Sequence, residues 1–193
     1  MPTRAPALPA EDRRAAIIAA TLPLLLERGS NITTRQIAEA ACIAEGTIFG
    51  VFPDKDAVIR AVVEAALDPQ AAEQAMAAID PKLPFQERLV AAVGIMQDRL
   101  ARIWRLIASV GDAGLAPKPP PDSAALAAIF AAEQERLRIA PMVAARQLRA
   151  LTLAVSHPAL FVNAPMSPRE IVTVLLDGIR DHCADQSCTE DRR

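Results

Sequence analysis

The sequence predicts an all-α protein, with a short three-helix head followed by a larger helical body. Three observations carry that prediction. Ala, Leu, Ile and Val dominate, with only 3% aromatics and 7 Gly, a balance that favours helices over strands. The 16 Pro are spread along the chain as punctuation between segments. And residues 33–55, TTRQIAEAACIAEGTIFGVFPDK, read as a short helix, a three-residue break and a second short helix, the outline of a helix-turn-helix.

The first helix is expected over residues 11–28, where Ile17, Ile18, Leu22, Leu25 and Leu26 recur at helical spacing and Gly29 follows as a stop. Pro23 inside it removes one backbone hydrogen bond, so a kink is expected there. Thr33 with Gln36 three residues on forms a capping box that starts the second helix, which buries Ile37, Ala38 and Ala41. After the turn Cys42-Ile43-Ala44, a third helix over residues 45–51 buries Ile48, with Phe52 beyond it. Pro53-Asp54 ends it, and Asp54 caps a fourth helix striped by Val58, Ile59, Val62, Val63, Ala66 and Leu67. Asp68-Pro69 breaks that helix, because a residue before proline avoids helical angles, and helix resumes over residues 69–79.

Beyond it the spacing predicts four longer helices. The first, over residues 84–110, carries Leu89, Val93, Met96, Leu100, Ile103 and Ile107. A Pro- and Gly-rich connection over 111–122 leads to helices over 123–139 and 141–160. Ser167-Pro168 starts the last, with Ser as cap and Pro at the first helical position, and it runs to about residue 183. The resulting division is a disordered arm (1–10), a helix-turn-helix head (11–60), a body (61–184) and a flexible tail (185–193).

Charge and cysteines narrow the function. Over residues 1–60, Arg4, Arg13, Arg14, Arg28, Arg35, Lys55 and Arg60 balance Glu11, Asp12, Glu27, Glu39, Glu45, Asp54 and Asp56, so any positive face must come from local arrangement. Three cysteines with no paired framework suit a reducing cytoplasm. His182, Cys183 and Cys188 match no zinc-ligand spacing, and neither metal nor cofactor is expected. No apolar run reaches the ~18–20 residues of a membrane span, and the N-terminus lacks a secretory h-region. No Gly-rich phosphate loop, paired acids with His, or nucleophile with a base is visible, so no catalytic residue is assigned.

At this point residues 17–61 resemble the DNA-binding domain of TetR-type (AcrR-like) transcriptional regulators. The likeness rests on Ala19-Ala20, Glu27-Arg28-Gly29, Thr33 or Thr34 followed by Gln36-Ile37-Ala38, Gly46-Thr47-Ile48-Phe49, and Phe52-Pro53-Asp54-Lys55-Asp56 taken together. The resemblance implies that the rest of the chain is an all-helical effector-binding and dimerisation domain. It also implies that Thr33 or Thr34, together with Lys55, act as phosphate clamps. Departures from the family's usual residues are Cys42 for Gly, Ala44 for a Ser cap, Phe49 for Tyr, Gly50 for a basic or aromatic residue, and Val51 for Tyr or His. Those departures leave the third helix short of donors.

Within the head, Thr47 is the remaining polar contact on the third helix, and Gly46 allows close backbone approach. Arg14 and Arg35 are the cations able to reach backbone or minor groove, and Glu45 can accept from a cytosine amine. In the body, Met96, Leu100, Trp104, Phe130, Met142 and Phe161 are candidates to line a cavity for an apolar small molecule, with Gln97, Gln134 and His157 as polar anchors. The last helix is apolar nearly all round, through Ile171, Val172, Val174, Leu175, Leu176 and Ile179. Such a helix needs two partners, which a homodimer pairing the last two helices into a four-helix bundle supplies. The function expected is a dimeric, ligand-responsive DNA-binding regulator, a repressor on a palindromic operator. The alternative is a helical small-molecule-binding protein with weak or lost DNA binding.

Overall fold

The structure is a computed structural model that describes residues 9–111, 121–158 and 166–179. These residues are all-helical, with no strand among them: α1 Ala10–Arg28, α2 Thr34–Ala40, α3 Glu45–Phe49, α4 Lys55–Leu67, α5 Gln70–Ala77, α6 Phe85–Val110, α7 Ala124–Ala131, α8 Pro141–Val155 and α9 Pro168–Ile179. They fall into two compact units. One takes the residues up to Asp68 together with α6 from Arg102 onward, and the other takes Pro69–Ala101 and the residues from Pro121 onward.

In the first unit α1 runs unbroken through the exposed Pro23, while its buried Thr21 hydroxyl donates to the Ile17 carbonyl at 2.7 Å. Gly29 ends it with φ +64, and a Cβ there would lie 2.5 Å from the Ser109 carbonyl oxygen on α6. The capping box at α2 is complete: Thr33 N–H donates to Gln36 Oε1 at 2.8 Å, and Gln36 N–H donates to Thr33 Oγ1 at 3.2 Å. Asp54 caps α4 by accepting from the Ala57 amide at 2.6 Å. α1 packs on α2 and α4 and α2 on α3, burying Ile17, Leu25, Ile37, Ile48, Phe52 and Val58 with Leu106 of α6. Burying a side chain of this size contributes about 1.5–3 kcal/mol, which lets a five-residue α3 persist although isolated helices so short are unstable. α4 stops at Leu67 because Asp68, before Pro69, takes extended angles (φ −61, ψ 122).

The second unit packs α7 against α5 and α8, and α8 against α9, around Leu89, Val93, Leu126, Phe130, Leu148 and Ile171. Phe130 is met edge-on by Phe85, the ring centres 5.9 Å apart. Two helix boundaries in this unit differ from expectation. The helix expected over 123–139 ends at Ala131, and Gln134–Arg136 form a single 3₁₀ turn. Leu137 is extended, and it and Ile139, two residues apart, both pack on the core, a spacing that suits extended backbone. The Arg138 N–H and guanidinium then bind the carbonyls of Ile179 and Gly178 on α9. The helix expected to reach residue 160 ends at Val155, since Pro158 excludes His157 from helical angles. At the start of α9, Glu170 accepts from both the Ser167 amide (2.8 Å) and its hydroxyl (2.7 Å). No helix among the described residues is long and apolar enough to cross a membrane.

Candidate nucleic-acid interface and ligand cavity

The turn between α2 and α3 holds its shape on an unusual residue. Cys42 sits in the left-handed region at φ +54, where a glycine would be at ease, and it costs about 1 kcal/mol to stay there. The amides of Cys42 and Ile43 return to the carbonyls of Glu39 and Ala38 at 3.2 and 3.0 Å, which pays part of that strain. α3 starts at Ala44 with no side-chain cap, so its first amides have lost a partner that Ser or Thr would supply. Across the turn the Thr34 hydroxyl donates to the Glu45 carboxylate.

The outward side of α3 is made by Glu45, Gly46, Phe49 and Gly50, all exposed, while Ile48 is buried beneath them and Thr47 is half-buried. Phe49 is 54% exposed, so its ring is not core packing. A Cβ built on Gly46 meets nothing within 4 Å, and no contact inside the protein requires a glycine there. Thr33 is exposed at the start of α2, and Lys55 at the start of α4 reaches the Ser30 carbonyl at 3.1 Å.

The other expected cations are engaged within the head. Arg35 pairs with Glu39 one turn on at 3.0 Å, and the Arg14 guanidinium lies 4.3 Å from the centre of the Phe52 ring. The Arg35–Glu39 pair is exposed and costs little to open, since surface ion pairs contribute about 0–1 kcal/mol, while Arg14 is an exposed cation over a buried ring. Arg60 and Asp54 are 3.9 Å apart across the first turn of α4. The surface around α3 is therefore polar and electrically balanced, with an aromatic ring at its centre.

The body residues sort differently from expectation. In the second unit a cavity of ≈ 80 Å³ is lined by Met96 and Leu100 of α6, as expected, and by Pro69, Ala72, Glu73, Met76, Arg99, Pro121, Ser123, Arg149, Thr152 and Leu153. Phe130 is buried in the core and Met142 packs half-buried against it, neither lining the cavity. Trp104 lies on the stretch of α6 that belongs to the first unit and is not part of the lining. Gln97 donates to the Ser156 hydroxyl (3.3 Å) and the Met166 carbonyl (2.9 Å), Gln134 is exposed, and His157 is half-buried. Phe161, His182, Cys183 and Cys188 lie outside the described residues. The signal that could have found the missed lining is a charged residue set in an apolar helical run, as Arg149 is between Leu148 and Leu151.

The expected dimer residues also divide. Ile171, Val172, Leu175, Leu176 and Ile179 are buried in the chain's own core, so their apolar surface is already covered, and Val174 alone of the six is exposed (53%). A seam on these two helices would have to use Val174 with Val143 and Leu153 of α8, which are also exposed.

Comparison with known proteins places this geometry. Residues 17–62 match the family described as bacterial regulatory proteins, tetR family. No curated protein matches the sequence. Among solved structures, a protein of Mesorhizobium loti assigned to the TetR family of transcriptional regulators is similar with a TM-score of 0.61 at 15% identity, covering 91% of this chain and 100% of that one. A TetR-family transcriptional regulator of Haemophilus influenzae reaches 0.56 at 15% identity, covering 89% and 98%. SmeT, the repressor of the Stenotrophomonas maltophilia multidrug efflux pump SmeDEF, reaches 0.53 at 18% identity, covering 93% and 96%. The helix-turn-helix head, residues 17–62, thus carries the match to the tetR family of bacterial regulatory proteins, and the chain shares the fold of these solved structures.

Proposed function

We propose that the protein is a ligand-responsive transcriptional repressor that binds a palindromic operator as a homodimer and leaves it when a small, mainly apolar effector binds the second unit. The observation that carries this reading is the exposed face of α3. Gly46 has no internal reason to be glycine, and Phe49 stands in solvent beside it. That combination suits a helix that lies against a duplex, the backbone approaching closely at Gly46 and the ring meeting a thymine methyl or sugar. Thr33, Thr34 and Lys55 are placed at the starts of α2 and α4, where helix N-termini favour phosphate. Arg14 and Arg35 would exchange Phe52 and Glu39 for backbone phosphates, and Thr47 and Glu45 would complete the contact. Pairing through α8 and α9 would set two such heads on one dyad.

Release follows from differential affinity: an effector shifts the balance only as far as it prefers one arrangement of the protein. The Asp68-Pro69 break is the candidate joint, and Pro69 itself lines the cavity, so ligand contact reaches the joint directly. A second reading, a ligand-binding protein with weak DNA affinity, is favoured by the paired cations around α3 and its missing cap. Selection of bound fragments from genomic DNA, followed by titration against salt, separates the two. A regulator enriches a palindrome and loses affinity steeply as salt rises. Retention of no fragment at low salt would establish the second reading instead.

A further inference from the structure

We propose that the cavity of the second unit takes a short-chain monocarboxylate, its tail against Met76, Met96, Leu100 and Leu153 and its carboxylate against Arg99 and Arg149. The proposal rests on the reading of this unit as an effector sensor and names the effector's chemistry. At ≈ 80 Å³ the cavity is well below the about 300–1,000 Å³ of sites for drug-sized ligands, which selects a short chain over a polycyclic one.

The polar part of the lining decides the head group. Glu73, the one carboxylate of the lining, accepts from the Ala125 amide at 3.3 Å, in the first turn of α7. The Ser123 hydroxyl accepts from the Leu126 amide at 3.0 Å, and the Thr152 hydroxyl donates to the Leu148 carbonyl at 2.8 Å. Both hydroxyls thus make one bond to helix backbone, and two guanidiniums outweigh one carboxylate in the lining. Arg149 also donates to the Pro121 carbonyl, which fixes its side chain at the wall. A planar guanidinium matches a carboxylate with paired N–H donors, which an alcohol or amine cannot use equally. An apolar floor below a net positive lining is the complement of a small amphiphilic anion.

The test is calorimetric titration of the full chain with hexanoate, 1-hexanol and hexylamine. Hexanoate should bind about tenfold or more tighter than the alcohol, as expected for hydrogen bonds to a charged group, and the amine should not bind. Arg99→Met should weaken hexanoate about tenfold and leave 1-hexanol unchanged, while Arg99→Lys retains most of the affinity. Ala72→Leu, which fills the cavity, should abolish both with the helical circular dichroism unchanged, and it decides the matter if an arginine variant does not fold. Equal binding of acid and alcohol, binding unaffected by Ala72→Leu, or no binding of any probe overturns the proposal. Retention on DNA is measured separately in the same samples: tight hexanoate binding that leaves DNA occupancy unchanged overturns effector-driven release and leaves the ligand assignment standing.

Discussion

The Thr34 hydroxyl donates to the Glu45 carboxylate, tying the first turn of α2 to the first turn of α3 across 11 residues. The bond makes up for the absent cap at Ala44 by anchoring α3 from outside its own backbone. It also keeps a negative charge on the face proposed to meet phosphates. Glu45→Gln keeps an acceptor for Thr34 and removes that charge. Its affinity for duplex DNA should rise about three- to tenfold at low salt, with the gain shrinking as salt screens it. Fluorescence anisotropy with one duplex at several salt concentrations reads this, and an unchanged affinity would place Glu45 away from the phosphates.

Cys42 holds the turn in left-handed backbone that its side chain disfavours. Cys42→Gly should stabilise the protein by about 0.5–1 kcal/mol, the strain relieved exceeding the added freedom of the unfolded chain. Cys42→Val should be destabilising, because a β-branched residue is worse still at positive φ. Urea unfolding of the three proteins gives the order directly.

Features set by near neighbours were legible in the sequence. The Thr33–Gln36 box, the Asp54 cap, the Asp68-Pro69 break and the Ser167 start each depend on residues within four positions, and each is present. The early end of α7 was not, because Leu137 and Ile139 are apolar in either a helical or an extended reading, and packing chose between them. Nor was the placement of Arg14 over Phe52, 38 residues away, or the meeting of α5, α6, α8 and Pro121–Ser123 around one cavity. On the last helix, apolar residues all round fit two interfaces from the sequence alone. Only the exposure of Val174 and the burial of its neighbours separate the face used internally from the one left over.

Gly29 is the least replaceable glycine of the first unit. Its angles, φ +64 and ψ −155, lie in a region almost reserved for glycine, and the Ser109 carbonyl leaves no room for a Cβ at 2.5 Å. Gly29→Ala should cost about 2–4 kcal/mol, strain and displacement of backbone together. A loss under half a unit in urea unfolding would mean that α1 and α6 part easily at that point.

Two carboxyls give the second unit a pH dependence. Arg146 donates to Asp122 at 2.8 and 2.6 Å and holds its carboxyl below the ordinary value, and Ser167 does the same for Glu170 through its hydroxyl and amide. Both therefore bind fewer protons folded than unfolded. Their stabilisation is complete above the ordinary carboxyl range and fades as pH falls through that range into the lowered folded values. Thermal midpoints should be flat from about pH 5 upward on this account and decline below it. Asp122→Asn and Ser167→Ala should each flatten the decline while lowering the plateau.

Gly46→Ala separates folding from function more sharply than any other change. Apart from its chain neighbours and its own helix backbone, no atom lies within 4 Å of the added methyl, and the position is in a helix, where alanine is favoured over glycine by about 0.5–1 kcal/mol. If the residue served only the fold, the substitution would be neutral or beneficial by every measure. If α3 lies against a duplex, the same methyl stands between backbone and DNA. Unfolding should then show equal or greater stability while operator affinity falls by about tenfold, and Phe49→Ala should lower affinity in the same assay by removing its apolar contact. Opposite signs of the two effects at Gly46 would assign the glycine to DNA approach, whereas unchanged affinity in both variants would remove α3 from the interface.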